Sequence, residues 1–361
     1  MKIRVIEPAR VVMDNPGNQH CYFGWPTAIR LKNGRIAVAA SGFRLSHICP
    51  FGKAVLSFSE DEGKTYTRPA AIIDTVLDDR DAGLCTFGES GLILTSFNNT
   101  CDFQRRMIKG HVDARSEAVQ KYVAAYLDTV TEEQQEAVLG ATYRISYDNG
   151  VTFGPLYVSP VTNPHGPIEL LDGSILWVGS TFRRDNQDGR DIHAYRVNMD
   201  GTMDKLGEIP PIVEEDAVRK VCEPYTIQLA DGTLICHIRV EPTFTTFQSV
   251  STDGGRSWSE PEKLLPDRGG APMHLLQHSS GALIAAYSYR EGPYGLRAMF
   301  SYDGGKTWDK DHIIYKNDAS NDLGYPSMVE LADGSLLTVF YARERVEEPS
   351  VIMQTVWAFE K

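Results

Sequence analysis

The sequence predicts an all-β protein, a six-bladed β-propeller with a small helical insertion in its second blade. Three observations lead to this fold class: a short turn motif occurs four times, a strand–glycine–strand hairpin occurs six times, and apolar strands stand at both ends of the chain. Regular repetition of short strands is the sequence signature of propellers. Because no linker interrupts the repeats, we expect one domain over residues 1–361.

The turn motif has the form Ser-x-Asp-x-Gly-x-x-aromatic. The Asp can accept backbone N–H groups within a tight turn, the Gly allows a positive φ angle, and the aromatic residue can pack against the sheet. One copy would carry little weight, but four copies in a β-rich chain indicate a repeated unit. They are found at residues 59–66, 146–153, 251–258 and 301–308.

The hairpin repeat consists of two apolar strands joined by a turn that ends in glycine. Its glycines are 49 to 82 residues apart, about one four-stranded blade each: Gly34, Gly91, Gly173, Gly232, Gly281 and Gly334. The longest interval contains residues 103–140, whose pattern is helical, and we predict an insertion there. The sixth blade is short, and we expect the C-terminal strand VIMQTVWAFE to complete it by pairing with IRVIEP near the N-terminus.

The hairpins also predict where a site would lie. In each blade the residues before and after the hairpin meet at the end opposite the glycine, so they should surround one central pocket. Before the hairpins stand Trp25, Asp81, His165, Glu223, His274 and Tyr325. After them stand Arg44, Asn98, Arg183 or Arg184, Arg239, Arg290 and Arg343.

The four Asp turns, the repeated hairpin and this ring resemble the sialidase (neuraminidase) superfamily, whose Asp-box or BNR repeats build a six-bladed propeller. The resemblance covers essentially the whole chain. It implies that Glu223, in CEPYTIQL, and Tyr325, in DLGYPSMVEL, are catalytic. It also implies that Arg239 and Arg297, the latter in GLRAMFSYDGG, bind substrate.

The chain departs from that superfamily at two places. The Arg-Ile-Pro that opens the first blade of sialidases is Gly24-Trp25-Pro26 here, so one arginine that grips the sugar carboxylate is missing. The loop after the first hairpin, RLSHICPFGK, lacks the acid/base Asp of sialidases. Asp81 is the nearest substitute acid, and His47 in the loop itself is another candidate.

We therefore assign Glu223, Tyr325 and Asp81 as catalytic. The predicted substrate-binding residues are Arg239, Arg297, Arg44, Arg290, His165, His274 and Trp25. Simpler explanations stand beside these roles: Asp81 can cap a turn, Trp25 can pack on Pro26 instead of stacking on a sugar, the arginines can form ion pairs, and the histidines can be core residues. We predict no metal site and no cofactor, because the histidines are scattered over separate blades.

Three functions fit this pattern. The first is an exo-acting glycoside hydrolase for a terminal acidic sugar, either sialic acid-like or a uronate. In sialidases a tyrosine nucleophile replaces the usual second carboxylate. The second is a lyase that abstracts a proton beside a uronate carboxylate, and the third is a propeller that binds glycans without catalysis.

Composition excludes some partners and suggests a compartment. A net charge of −12 disfavours nucleic acid, and no apolar run is long enough to span a membrane. The six scattered cysteines are expected to be free thiols, and without an apolar leader the expected location is the cytoplasm. The helical insertion could serve as a lid over the pocket or as a contact in an oligomer.

Overall fold

The computed structural model describes residues 1–110, 116–182 and 191–360. Within these ranges six antiparallel sheets form the blades of a propeller, and the innermost strands of neighbouring blades contact one another around the axis. The six-bladed all-β prediction is confirmed. All six cysteines are free thiols, as predicted. None of the described helices is both long and apolar enough to cross a membrane.

Five blades follow one another along the chain, each from its innermost strand outward. Blade 1 contains β2 (Tyr22–Arg30), β3 (Ile36–Arg44), β4 (Lys53–Ser59) and β5 (Ala70–Ile73). Blade 2 contains β6 (Arg80–Phe87), β7 (Gly91–Phe97), β8 (Ala141–Ser146) and β9 (Tyr157–Ser159). In blade 3 the inner strand is split into β10 (Val161–Thr162) and β11 (Ile168–Glu169), followed by β12 (Ile175–Thr181), β13 (Ile192–Val197) and β14 (Met203–Ile209).

A short hairpin leads into the second half of the ring; its strands are β15 (Val213–Glu214) and β16 (Ala217–Val218). Blade 4 contains β17 (Lys220–Gln228), β18 (Leu234–Glu241), β19 (Thr245–Ser251) and β20 (Glu262–Lys263). Blade 5 contains β21 (Met273–Gln277), β22 (Leu283–Tyr289), β23 (Tyr294–Ser301) and β24 (Asp309–Asn317).

Both chain ends contribute to blade 6. Its strands are β25 (Gly324–Glu330), β26 (Leu336–Ala342), β27 (Val351–Glu360) and, outermost, β1 (Lys2–Met13). Strand β1 runs antiparallel to β27, with Lys2 opposite Glu360 and Met13 opposite Ile352. This pairing ties the first strand of the chain to the last, as the two apolar segments predict, and it covers the edge of β27.

The core consists of apolar layers between adjacent blades. Between blades 5 and 6, for example, the fully buried rings of Phe300, Phe340 and Trp357 belong to one cluster. Strand residues therefore alternate between two buried faces, which explains the near-continuous apolar runs in the sequence.

The glycine hairpins form as predicted in five of the six blades. Gly34, for instance, has a φ of +90° and donates its N–H to the carbonyl oxygen of Leu31 at 2.9 Å. Blade 2 differs, because its positive-φ glycine is Gly88 and Gly91 is the first residue of β7.

The four Asp turns join the third and fourth strands of their blades, at the same end as the glycine hairpins. In the copy at 251–258, Asp253 accepts hydrogen bonds from the Ser251 hydroxyl and the backbone N–H of Ser257. A Cβ on Gly255 would lie 3.3 Å from Leu176 of the preceding blade, so this turn also packs against its neighbour. The turns are thus structural and lie at the end of the wheel opposite the pocket.

Replacing a turn aspartate should lower stability before it lowers activity. The hydrogen bonds, first of all that from the Ser257 hydroxyl, lower the pKa of Asp253 to about 2. A carboxyl whose pKa is depressed by folding stabilises the fold above its unfolded pKa of about 3.9 and loses that effect as pH falls towards 2. We expect Asp253→Asn to lower the melting temperature at pH 7, and the difference from wild type to shrink at low pH. Unchanged melting with lost turnover would contradict this.

The insertion lies between β7 and β8 and begins two residues earlier than predicted. Its helices are α1 (Cys101–Gly110), α2 (Glu117–Leu127) and α3 (Glu132–Glu136). Val123 and Leu127 of α2 pack into one buried cluster with Leu45, from the loop after β3, and Leu77, from the connection between β5 and β6. Its described residues form no strand of the ring, and they pack on the propeller at its pocket end.

Candidate active site

Four of the inner strands are interrupted by the same irregularity. Trp25, Asp81, Glu223 and Tyr325 have φ angles of 48° to 52°, and at each of them the pairing with the next strand shifts register. A left-handed residue at a β-bulge redirects its side chain, and here all four side chains line one cavity on the propeller axis. The bulges thus bring parts of blades 1, 2, 4 and 6 to one place.

Two cavities at this end of the propeller share lining residues, and we call them the tyrosine lobe and the arginine lobe. The tyrosine lobe, of about 470 Å³, contains Tyr325, Glu223 and Asp81. The arginine lobe, of about 440 Å³, contains Arg268, Arg343 and Asp322. His47 and Arg290 line both lobes and therefore mark their boundary.

Tyr325 and Glu223 form a direct pair in the tyrosine lobe. The Tyr325 hydroxyl donates to Glu223 Oε1 at 2.5 Å, and Arg239 Nη1 donates to Glu223 Oε2 at 2.5 Å. Burial and the negative charge of Glu223 raise the pKa of Tyr325 well above its usual value. The phenol therefore keeps its proton and can act as a nucleophile only if Glu223 removes it.

Asp81 supplies a further carboxyl to the same lobe, which Glu223 and Glu241 also line. Burial raises the pKa of Asp81 to about 7 against the opposing effect of Arg80, and the charge of Glu223 adds to the rise. Its Oδ1 atom is buried and has no hydrogen-bond partner among the described residues. Asp81 can thus hold a proton near neutral pH and has a free polar atom beside the cavity.

Trp25 and the arginines around it form another wall of the tyrosine lobe. The guanidinium carbon of Arg80 lies 4.2 Å from the centre of the indole ring, and that of Arg44 lies 4.9 Å from it. Trp25 is only 2% exposed, so its ring is mostly covered by protein and is not an open stacking platform. Arg80 itself lines the lobe, and the sequence did not single it out as a binding residue.

Two predicted arginines do not reach the cavity. Arg44 is fully buried, and its Nη1 lies 2.6 Å from Asp78 Oδ1 in an ion pair inside the protein. Arg297 lies on the third strand of blade 5, where it pairs with Asp311 and its guanidinium carbon lies 3.7 Å from the Tyr289 ring centre. Arg290 is the arginine that blade 5 contributes to the cavity. The other candidates, Arg183 and Arg184, lie outside the described residues.

The predicted histidines are core residues that do not line either lobe. His165 and His274 lie edge to face with ring centres 5.0 Å apart, and His274 stacks on Tyr225 at 4.8 Å. Burial lowers the pKa of His274 to about 3 and that of His165 well below its usual value, so both are neutral. His274 lines a separate cavity of about 320 Å³ near the glycine hairpins. No bulge turns these two residues towards the site.

The insertion contributes to the site as well. Phe103 and Met107 of α1 line the tyrosine lobe, and Phe97 lies beside them at the end of β7. Gln104 fixes the helix, because its amide donates to Asp78 Oδ2 at 3.1 Å inside the protein. Since these positions lie in a helix without repeat signature, sequence reasoning had no basis for placing them at the cavity.

No cluster of three or more His, Cys, Asp or Glu side chains suited to a metal ion occurs in ranges 1–110, 116–182 and 191–360. Among the polar groups that line the described lobes are carboxyl groups, a phenol, an imidazole and guanidinium groups. These groups can move protons and bind anions.

Comparison with known proteins identifies one matching family and several proteins of similar structure. The BNR repeat-like domain family matches residues 118–338. No curated protein is significantly similar in sequence. A protein of unknown function from Dyadobacter fermentans has a similar structure, with a TM-score of 0.76, 20% identity and 99% coverage of both chains.

Two further structures are similar in fold. The NanB sialidase of Streptococcus pneumoniae has a TM-score of 0.67 and 13% identity, over 97% of this chain and 70% of the other. The intramolecular trans-sialidase of Ruminococcus gnavus has a TM-score of 0.64 and 13% identity, over 97% of both chains. At these identities the likeness concerns the fold.

Proposed function

Because the chain belongs to the BNR repeat-like domain family, and its axial cavity pairs a tyrosine with a glutamate, we propose that it is an exo-acting glycoside hydrolase for a terminal acidic sugar. The observation that carries this proposal is the 2.5 Å hydrogen bond from the Tyr325 hydroxyl to Glu223. A phenol whose pKa is raised is a poor nucleophile until a positioned base takes its proton, and Glu223 is such a base. The structural neighbours named as sialidases support the same class.

In the proposed reaction, Tyr325 attacks the anomeric carbon while its proton passes to Glu223. A neutral phenol suits a sugar whose anomeric carbon bears a carboxylate, because a carboxylate nucleophile would be repelled. Arg239 lies 3.3 Å from the Tyr325 oxygen and can stabilise negative charge that develops there. Asp81, with its proton retained up to about pH 7, donates a hydrogen bond to the bound sugar.

The charges of the cavity favour an anionic sugar. Arg80, Arg239 and Arg290 line the tyrosine lobe. Guanidinium groups bind carboxylates in a planar, two-bonded geometry that lysine does not reproduce. Because Trp25 stands in the segment where sialidases have their first arginine, we expect weak or no cleavage of common sialosides, and a uronate or modified acidic sugar is a serious rival.

The experiment is a panel of aryl glycosides, sialosides and uronides among them, with phenol release and ultraviolet absorbance both recorded. We expect phenol release from an acidic glycoside without absorbance from an unsaturated sugar. Unsaturated product without hydrolysis would favour a lyase, and sugar binding without either signal would favour a non-catalytic glycan-binding protein. Both of these results would contradict the proposal.

The protonation of Asp81 should set the pH dependence of sugar binding. Ionisation above about pH 7 adds a negative charge beside Glu223, and an anionic sugar is then repelled. We expect the dissociation constant of the sugar product to rise between pH 6 and pH 9 in wild type, as measured by calorimetry. Asp81→Asn keeps a hydrogen-bond donor but cannot ionise, so its curve should be flatter. Parallel curves would show that Asp81 does not titrate in this range.

A further inference from the structure

The boundary between the two lobes is where a glycosidic bond would be broken. A sugar that reaches Tyr325 occupies the tyrosine lobe, and its leaving group can extend into the arginine lobe. The bridging oxygen then lies near the two residues that line both lobes, His47 and Arg290. Of these only the imidazole can give and take a proton at neutral pH.

The Nδ1 atom of His47 makes two polar contacts. Nδ1 lies 3.2 Å from Asp322 Oδ1 and 3.0 Å from the Tyr22 hydroxyl oxygen. The Tyr22 hydroxyl donates to Asp322 Oδ2 at 3.1 Å, so these contacts are satisfied together when Nδ1 carries a proton. The rings of His47 and Trp25 also lie edge to face, with centres 4.8 Å apart. Nε2 is then the nitrogen on the opposite edge of the ring.

Asp322 is suited to holding the imidazole. It accepts a hydrogen bond from the Tyr341 hydroxyl at 3.0 Å and lies 3.6 Å from Arg343. Burial alone would raise the pKa of Asp322, but His47, Arg290 and Arg343 hold it well below its usual value. A carboxylate beside Nδ1 selects the Nδ1–H tautomer and stabilises the imidazolium.

We propose that His47, oriented by Asp322, is the catalytic acid–base residue that serves the leaving oxygen. The assignment rests on the proposed hydrolase function and refines it, because Asp81 lines the tyrosine lobe alone and acts there as a hydrogen-bond donor to the sugar. Asp322 is a positioning residue. The loop after the first hairpin contains no carboxylate, but in this proposal it supplies the catalytic acid through the imidazole of His47.

The proton balance closes over the two steps. First, Nε2–H of His47 gives its proton to the bridging oxygen as the C–O bond breaks, while Tyr325 bonds to the anomeric carbon and its proton moves to Glu223. Second, His47 takes a proton from water, the water oxygen bonds to the anomeric carbon, and the tyrosine–sugar bond breaks. Glu223 then returns the proton to Tyr325. The net reaction is hydrolysis.

The test compares His47→Gln with wild type on aryl glycosides of the acidic sugar that wild type cleaves. A dinitrophenyl leaving group needs no proton, whereas an unsubstituted phenyl group does. We expect the variant to lose about 10²–10⁴-fold in kcat/KM on the phenyl substrate and little on the dinitrophenyl substrate. His20→Gln is the matched control, because His20 contacts the Phe43 carbonyl and lines neither lobe.

Asp322→Asn should show the same leaving-group dependence in weaker form. Nitrogen NMR of the folded protein gives a readout besides activity. In wild type, the neutral imidazole of His47 should carry its proton on Nδ1, and in Asp322→Asn the tautomer equilibrium should shift towards Nε2–H. If His47→Gln loses equally on both substrates, or loses nothing on the phenyl substrate, this proposal is overturned. The hydrolase function stands in that case as long as Glu223→Gln still lowers turnover strongly. If wild type and Glu223→Gln are equally inactive on every glycoside, the hydrolase function itself fails, and the role of His47 with it.

Discussion

Glu223→Gln should reduce turnover of an acidic aryl glycoside by about 10²–10⁴-fold, the usual contribution of a positioned general base. Gln keeps the shape of the side chain and can still bond to Tyr325, but it cannot accept the phenolic proton. Folding should be little affected, because Arg239 stays paired with Glu241 when Glu223 loses its charge. Steady-state kinetics and a melting curve on the same protein measure both effects.

Glu241→Gln is the matched control for that variant. Glu241 pairs with the same arginine and lines the same lobe, but Glu223 is the residue that accepts the Tyr325 hydroxyl proton. We expect a much smaller loss of kcat for the control. Similar losses of kcat for the two variants would show that turnover depends on the charge around Arg239 and not on proton transfer from Tyr325.

Arg44→Met should have the largest effect on stability. The pair of Arg44 and Asp78 is fully buried, and removing one partner leaves a buried charge, which typically costs about 3–5 kcal/mol of unfolding free energy. Asp78 retains contacts with Arg80, Gln104 and the Cys49 amide, so the lower part of that range is expected. Chemical denaturation measures the difference.

The double variant Arg44→Met with Asp78→Asn should be more stable than Arg44→Met alone, since the uncompensated charge is gone. Arg68→Met is the surface control, because Arg68 is exposed, and a change within about 0.5 kcal/mol is expected. A loss below about 1 kcal/mol for Arg44→Met, or simple additivity in the double variant, would contradict the account of this buried pair.

The architecture could be predicted because its determinants are local. A glycine hairpin and an Asp turn are specified by a few adjacent residues, and both occur at blade spacing. The same repeat correctly implied that residues before the hairpins, such as Glu223 and Tyr325, face one end of the wheel. The terminal pairing of β1 and β27 followed from two apolar segments that had no other partner in the predicted blades.

It was harder to predict which individual side chains line the cavity, because this depends on contacts between strands. Arg44 and Arg297 are held by Asp78 and Asp311, neither of which the repeat identifies as a partner. His165 and His274 occupy positions equivalent to Glu223 but lack the left-handed bulge.

The sequence does contain one signal of the bulge. Trp25, Glu223 and Tyr325 are each followed by proline, which has no N–H to contribute where the ladder is interrupted. Asp81 has a bulge without proline, so the signal is incomplete.

The central claim is that Tyr325 bonds to a terminal acidic sugar with Glu223 as its base. Its most direct test is incubation with an acidic glycosyl fluoride that carries a second fluorine beside the anomeric carbon, followed by peptide mass spectrometry. The fluoride leaves without an acid, and the second fluorine slows release of the sugar. We predict one sugar bound per chain, attached to Tyr325, and none in Tyr325→Phe. A sugar attached to Glu223 or Asp81, or product release without any adduct, would contradict the claim.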